Sequence, residues 1–198
     1  KIALADGATK SDSDNVKTDG DAVEITGEGT YIISGTLTNG RIIINAKDSD
    51  KIQLVLNGAN INCDTSAAIY VKQADKVFIT LAPSSENTFS NKSKFVAVDD
   101  NNIDSVIFSK SDLTLNGSGK LTVNAVYGHG IVSKDDLVLT GGEYSITSEK
   151  QALSGKDSIR VADGTYTLNA GKDGLHSENT DDTSKGFIYI ANGMFDIT

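Results

Sequence analysis

Short apolar alternations recur through this chain at nearly constant steps, and that recurrence limits the folds open to it more than any other feature. Leu113-Thr114-Leu115-Asn116-Gly117 is followed by Leu137-Val138-Leu139-Thr140-Gly141. Ile159-Arg160-Val161-Ala162-Asp163-Gly164 and Ile188-Tyr189-Ile190-Ala191-Asn192-Gly193 come next, at steps of 24, 22 and 29 residues. Upstream, Leu54-Val55-Leu56-Asn57-Gly58 and Val77-Phe78-Ile79-Thr80-Leu81 fit the same template. Whole stretches recur too: HGIVSKDDL at 129–137 returns as QALSGKDSI at 151–159. Alternation with period two is a strand signal, and self-similarity at a fixed period signals stacked units.

Each unit holds three strand signals separated by Gly- or Asn-containing turns, such as 113–115, 121–123 and 130–133. No unit is long enough to bury its own apolar face. The expectation is an all-β chain, a single-stranded parallel β-helix with three short strands per rung of about 22–30 residues. Leu113, Leu115, Leu137, Leu139, Ile159, Val161, Ile188 and Ile190 would point inward, with Thr114, Val138, Arg160 and Tyr189 outward. Tyr144 and Tyr166 alternate inward as core residues. A β-sandwich also has short strands and regular turns, but recurrence of three-strand units in one register argues against it.

Residues 1–20 are polar and aperiodic and read as a linker or loose N-terminal segment. Residues 21–198 read as the β-helix domain. The chain ends inside a strand signal, so the reading expects a truncated piece or a cap supplied by something else.

Composition excludes some functions. The 198 residues carry a formal net charge of −9, which disfavours nucleic acid because no basic stripe offsets phosphate repulsion. No apolar run is long enough to span a membrane. The single cysteine, Cys63, cannot form an internal disulfide and reads as an inert small residue.

The run GEGTYIISGTLTNGRIIINAKDSDKIQLVLNGANI, then AAIYVKQADKVFITLA, and later DGLHSEN resemble a known family. It is a bacterial carbohydrate-binding parallel β-helix family of the clostridial type, similar in fold to the calcium-dependent pectate lyases. The resemblance runs from about Asp21 to Thr198. It implies a right-handed β-helix that is exported, either secreted or on the cell surface, with the signal sequence already absent. It also implies bound calcium and affinity for plant cell-wall polysaccharide, cellulose or acidic pectic sugars such as polygalacturonate. Members resemble binders more than lyases.

Two stretches break the unit length and gather acids and amides. One holds Asp99, Asp100, Asn101, Asn102 and Asp104, inside the 36-residue step from Val77 to Leu113. The other holds Asp173, Glu178, Asn179, Asp181 and Asp182. Calcium takes six to eight oxygen ligands, so these are the candidate metal ligands. Their spacing matches neither an EF-hand nor a nonapeptide calcium repeat.

Lys72, Lys110, Lys134 and Lys156 fall in one column, continued by Glu178, beside a column of Gln73, Ser111, Asp135, Asp157 and Asn179. The bland reading is a solvated charged turn. The functional one is a cationic row, with Lys110, Lys134 and Lys156 gripping uronate carboxylates. Tyr70, Phe108 and Tyr127 are the aromatic candidates for sugar stacking, although the outward column of Tyr70, Phe108 and Val132 could equally lie under a loop. Asn62, Asn124 and Asn169 share another column, with Thr147 and Thr198 in the same line, and read as a structural ladder of side chains. His129 and His176 lack the further ligands of a transition-metal site.

The sequence therefore points to a non-catalytic, monomeric polysaccharide binder with structural or ligand-bridging calcium. The alternatives are a calcium-dependent polysaccharide lyase with a lysine base, needing a lowered lysine pKa, and a cell-surface adhesin.

Overall fold

The computed structural model describes all 198 residues, and every regular element is a β-strand. The strands are collected in two sheets, one of 14 strands and one of 8. Most neighbours are parallel and join residues one sequence unit apart. Leu113 pairs with Leu137, Leu137 with Ile159, and Ile159 with Ile188. In the same sheet Tyr144 pairs with Leu121 and with Tyr166, and Tyr166 with Phe195. The 8-stranded sheet sets Ile107 against Ile69 and Ile131, and Ile131 against Leu153.

This architecture corrects the expected right-handed single-stranded parallel β-helix. Three separate strand stacks closing one solenoid are not observed; there are two sheets, and two neighbouring pairs are antiparallel. Those pairs are Ile2–Leu4 with Lys10–Ser11, and Val16–Asp19 with Ala22–Ile25. The Lys51–Asn62 strand explains why two expected stacks become one sheet. Its first half pairs with Lys76–Leu81 and its second half with Glu86–Asn91. Asn57-Gly58 reads in sequence as a turn that ends a strand. Gly58 does adopt a positive φ of 79°, but pairing continues on both sides of it.

The period-two alternation fills the interior as its spacing requires. Leu113, Leu115, Leu137, Leu139 and Ile159 are fully buried in one cluster of 41 residues. Burying a Leu or Ile side chain is worth about 1.5–3 kcal/mol, so this line of aliphatic residues is the main source of cohesion. Tyr144, Tyr166 and Phe195 stack face to face, with ring centroids 5.2 and 4.7 Å apart. The buried Tyr144 and Tyr166 hydroxyls donate to the carbonyls of Gly141 and Asp163 at 2.9 and 2.7 Å.

The first 20 residues are also part of the sheets rather than a loose linker. Ile2 and Leu4 are buried, and Ile2–Leu4 lies parallel to Ile33–Gly35. The approach is close: a Cβ on Gly35 would sit 2.2 Å from the Leu4 carbonyl oxygen, and Gly35 has φ +98°. Only two apolar residues carry this strand, too few to rise above the polar background of the sequence.

Candidate functional site

The strands Ile69–Gln73, Ser105–Ser109, His129–Ser133 and Leu153–Gly155 of the 8-stranded sheet each hand the chain to the 14-stranded sheet through a short turn, and the lysine row stands at those strand ends and turns. The main-chain N–H groups of Lys110, Lys134 and Lys156 donate to Val71, Ser109 and Ser133 carbonyls one unit back, at 3.0, 2.8 and 3.0 Å. Hydroxyls hold the turns closed: Ser109 Oγ and Ser133 Oγ both donate to the Ser111 carbonyl, at 2.6 and 3.1 Å. The lysine side chains are exposed.

Their partners differ along the row. Lys72 lies 3.7 Å from Asp99, and Lys156 lies 3.0 Å from Asp181. Lys110 and Lys134, the middle two, have no carboxylate within ion-pair distance; Lys134 instead sits 5.3 Å above the Phe108 ring. Lys72 and Lys110 line a cavity of about 420 Å³ with Asp48, Gln73, Asp75 and Asp135. Glu178, expected to continue the column, turns toward His176, 3.6 Å away.

An acid row lies behind the lysines. Burial pushes the Asp135 carboxyl up to about 6, reinforced by its contact with Asp157 and by the charges of Asp112, Asp157 and Asp136. Asp157 moves the other way, held below the ordinary value by Lys185 and by Asn179 Nδ2, which donates to it at 2.7 Å. Asp112 is paired with Lys76 at 2.9 Å, and Asp136 accepts from Ser158 Oγ at 2.6 Å.

Beside this row, across the Lys51–Asp75 ion pair of 2.6 Å, runs a groove of about 640 Å³. Phe78, Thr30, Gln53, Lys51 and Glu28 line it. Thr30 Oγ1 donates to Gln53 Oε1 and Gln53 Nε2 to Thr80 Oγ1, both at 3.0 Å, which fixes the amide plane beside the Phe78 ring. Phe78 and Gln53 escape the sequence reading. The usable signal was an aromatic residue at an outward position of a strand, within Val77-Phe78-Ile79.

The aromatic platform is corrected. Tyr70 and Phe108 are each only 2% exposed, packed with Ile103, Val132 and Phe95. Residues 92–104, which end in the acidic stretch Asp99–Asp104, fold over this face of the 8-stranded sheet and close it. Tyr127 is half-buried, its main chain held at both N–H and carbonyl by the Asn91 amide.

The expected calcium ligands do not come together as a cage. Asp99 accepts from Tyr70 OH at 2.7 Å and from the Asn101 main chain at 2.9 Å. Burial alone would raise the Asp99 pKa; these hydrogen bonds and the Lys72 charge outweigh it and hold the carboxyl low. Asp104 lies 3.7 Å from His129. In the second stretch, Asn179 Oδ1 accepts from Asp181 and Asp182 N–H, and Asp182 accepts from Ser184. Asp173 lies 3.3 Å from His176. Asp100 and Asn102 add no converging carboxylate, and no three His, Cys, Asp or Glu side chains are placed to share a metal ion.

His129, Gln151 and Asp173 follow one another in register, one unit apart. Gln151 Nε2 points at Asp173 across 3.4 Å, while Asp104 Oδ1, His129 Nδ1 and Gln151 Oε1 are buried with no partner in the protein. Burial, more than any charge, pushes the His129 pKa down and favours the neutral ring.

Comparison with known proteins places this geometry in context. A family model described as "Carbohydrate-binding domain-containing protein" matches residues 19–198. A relative from Acetivibrio thermocellus with the same description is 34% identical over 177 residues, covering 88% of this chain. The match covers 62% of that relative, so the chain spans about three fifths of its length. The solved structure of a polysaccharide lyase-like protein from C. thermocellum, a gadolinium derivative, matches with a TM-score of 0.95 and 34% identity. That match covers 99% of this chain and 80% of the other.

Proposed function

We propose that this chain, which belongs to the family of carbohydrate-binding domain-containing proteins, binds acidic polysaccharide along the lysine row. The observation that carries the reading is the state of Lys110 and Lys134. They are adjacent, exposed and without acid partners, while Lys72 and Lys156 on either side are paired. In a chain of net charge −9, these two ammonium groups stand side by side at successive turns and set a local positive charge on which an anionic ligand can settle. Strands in a sheet are about 4.8 Å apart, so carboxylates repeating along a uronate chain meet a cation at more than one turn. Phe78 and Gln53, in the neighbouring groove, supply an apolar ring and a fixed amide of the kind that receives a sugar face and its hydroxyls.

Retention on immobilised polygalacturonate tests this reading. The wild-type chain is expected to bind, and Lys110→Glu with Lys134→Glu to weaken retention about tenfold. Raising salt from about 0.1 M to about 1 M shortens the Debye length from ~10 to ~3 Å and should release the wild type. A folded double variant that binds like the wild type sinks the proposal. An unsaturated, ultraviolet-absorbing product from polygalacturonate would assign a lyase in place of a binder.

A further inference from the structure

Lys72 takes its anion from the segment that covers the 8-stranded sheet, and that contact links the lysine row to the hidden aromatic residues. Tyr70 and Lys72 are two residues apart on the strand Ile69–Gln73, so both side chains leave the same face. Phe108 lies in register between Tyr70 and Val132, and Lys110 and Lys134 follow Phe108 and Val132 by the same two residues. A column of Tyr70, Phe108 and Val132 therefore runs beside the lysine row, about 6.6 Å from it along each strand. Residues 92–104 keep this column out of water.

The covering segment holds no strand, and its two ends are fixed. At one end the Ser93 and Val96 N–H groups donate to the Asp64 and Thr65 carbonyls at 2.9 and 2.8 Å. At the other the Asp104 carbonyl accepts from the His129 N–H at 2.8 Å, beside buried Ile103. Between these anchors, residues 97–102 make polar contact with the sheet through two side chains only. The Tyr70 hydroxyl engages Asp99 and Asn101, and the Lys72 ammonium lies 3.7 Å from Asp99. Val96 and Val98 face water, so apolar packing adds little over this span. A cavity of about 150 Å³ already lies beside it, lined by Tyr70, Lys72, Val98 and Asp99 together with Glu24 and Arg41.

Asp99 thus gives Lys72 the carboxylate that Lys110 and Lys134 lack. The pair is long and partly solvated, which makes it weak and readily exchanged. A polyanion settled on Lys110 and Lys134 brings a further carboxylate toward Lys72, the next position in the row. Once Asp99 leaves Lys72 and Tyr70, Asn101 is the single polar hold left on the span. A ligand shifts such an equilibrium only through contacts that one state offers and the other withholds. Here those contacts are the Lys72 ammonium and the Tyr70 ring. We propose that residues 96–102 form a displaceable strap, in which Asp99 is an internal competitor that occupies Lys72 and masks Tyr70 until an acidic chain takes its place. The identity of the ligand rests on the lysine-row reading.

The test uses the intact chain with polygalacturonate as the probe. Asp99→Asn takes the charge from the competitor and should tighten binding about fivefold. Asp100→Asn makes the same change of charge at an exposed neighbour that touches neither Lys72 nor Tyr70, and should bind like the wild type. Tyr70→Phe keeps the ring, releases the hydroxyl contacts and should give an intermediate gain. Far-ultraviolet circular dichroism and Tm confirm folding of each variant. Hydrogen exchange by mass spectrometry then reads the strap itself: in the wild type, polygalacturonate should quicken exchange in peptides spanning 96–103. Slowed or unchanged exchange there, with the ligand bound, overturns the proposal, because the strap would then close on the ligand or ignore it. Equal gains in Asp99→Asn and Asp100→Asn also overturn it, since overall charge would account for both. Unchanged or weaker binding in folded Asp99→Asn does the same, and with the wild type still retained it leaves the lysine row standing. Retention of Asp99→Asn without retention of the wild type supports the strap. No binding by any of these proteins removes the lysine row, and the strap with it.

Discussion

Asp135 and Asp157 occupy the same place on successive turns, and the main-chain N–H of Asp157 donates to the Asp135 carbonyl at 3.2 Å. The strand register therefore forces their carboxyls together. Lys185 serves Asp157, while Asp135 has no cation of its own. Its pKa, pushed up to about 6 from an ordinary 3.8, means the folded state binds this proton more tightly than the unfolded state does. The contribution of Asp135 is then most favourable at low pH and is lost as pH rises from about 4 through 6. Asp135→Asn should raise Tm at pH 7.5 by roughly 2–4 °C, on the order of 1 kcal/mol after allowing for solvent screening. The gain should vanish at pH 4, where the wild-type carboxyl already carries its proton. Thermal melts of both proteins at the two pH values decide it, and a gain equal at both would reject the shared-proton account.

The aromatic stack makes a different demand. Tyr166 lies between Tyr144 and Phe195, and each ring covers the face of the next. Tyr166→Ala should cost about 3–5 kcal/mol, because the neighbours are fixed by their strands and cannot close the hole. Tyr166→Phe keeps the stack and loses only the bond to the Asp163 carbonyl, a loss of about 1 kcal/mol. Urea unfolding of the two variants gives the comparison. Equal losses would mean that the hydroxyl and not the ring carries the contribution.

The cover over the 8-stranded sheet is latched by Tyr70, whose hydroxyl donates to Asp99 and accepts from Asn101 Nδ2, both at 2.7 Å. Tyr70→Phe leaves the apolar packing with Phe108 and Ile103 in place and removes the latch. Amide hydrogen exchange by mass spectrometry should quicken in residues 99–104 while the sheet beneath is unaffected. No change in 99–104 would show that apolar packing alone holds the cover.

What the sequence made legible follows the physics of each element. The line Leu113, Leu137 and Ile159 could be read because a period of two and a constant step leave one register that buries all three; Ile188 and Ile190, expected inward as well, keep the register on the last strand but are 43% and 47% exposed there. Tyr144 and Tyr166 were legible for the same reason. The joining of two stacks into one sheet was hidden, since Gly58 gives the same signal whether it ends a strand or only bends one. The burial of Tyr70 was hidden by composition: Ile103 is a single apolar residue among acids and amides, and Phe95 follows two lysines in a run with no strand period. The lysine row was visible as a column, but which lysines are free depends on Asp99 and Asp181, brought in from loops at a distance no local pattern encodes. The Asn and Thr column was visible too and read as an internal ladder; only the coordinates show that its central members are unbonded.

The Lys51–Asn62 strand has one more consequence, and it is mechanical. Its first half holds the strands next to the Phe78 groove and the lysine turns, and its second half holds the Glu86–Asn91 strand and those that follow it. A polysaccharide pulling on the lysine turns would carry tension into the rest of the sheet through this segment. Asn57, Gly58 and Ala59 would bear the load where the strand bends. Residues far from any sugar would then set how hard such a tether can be pulled before it gives.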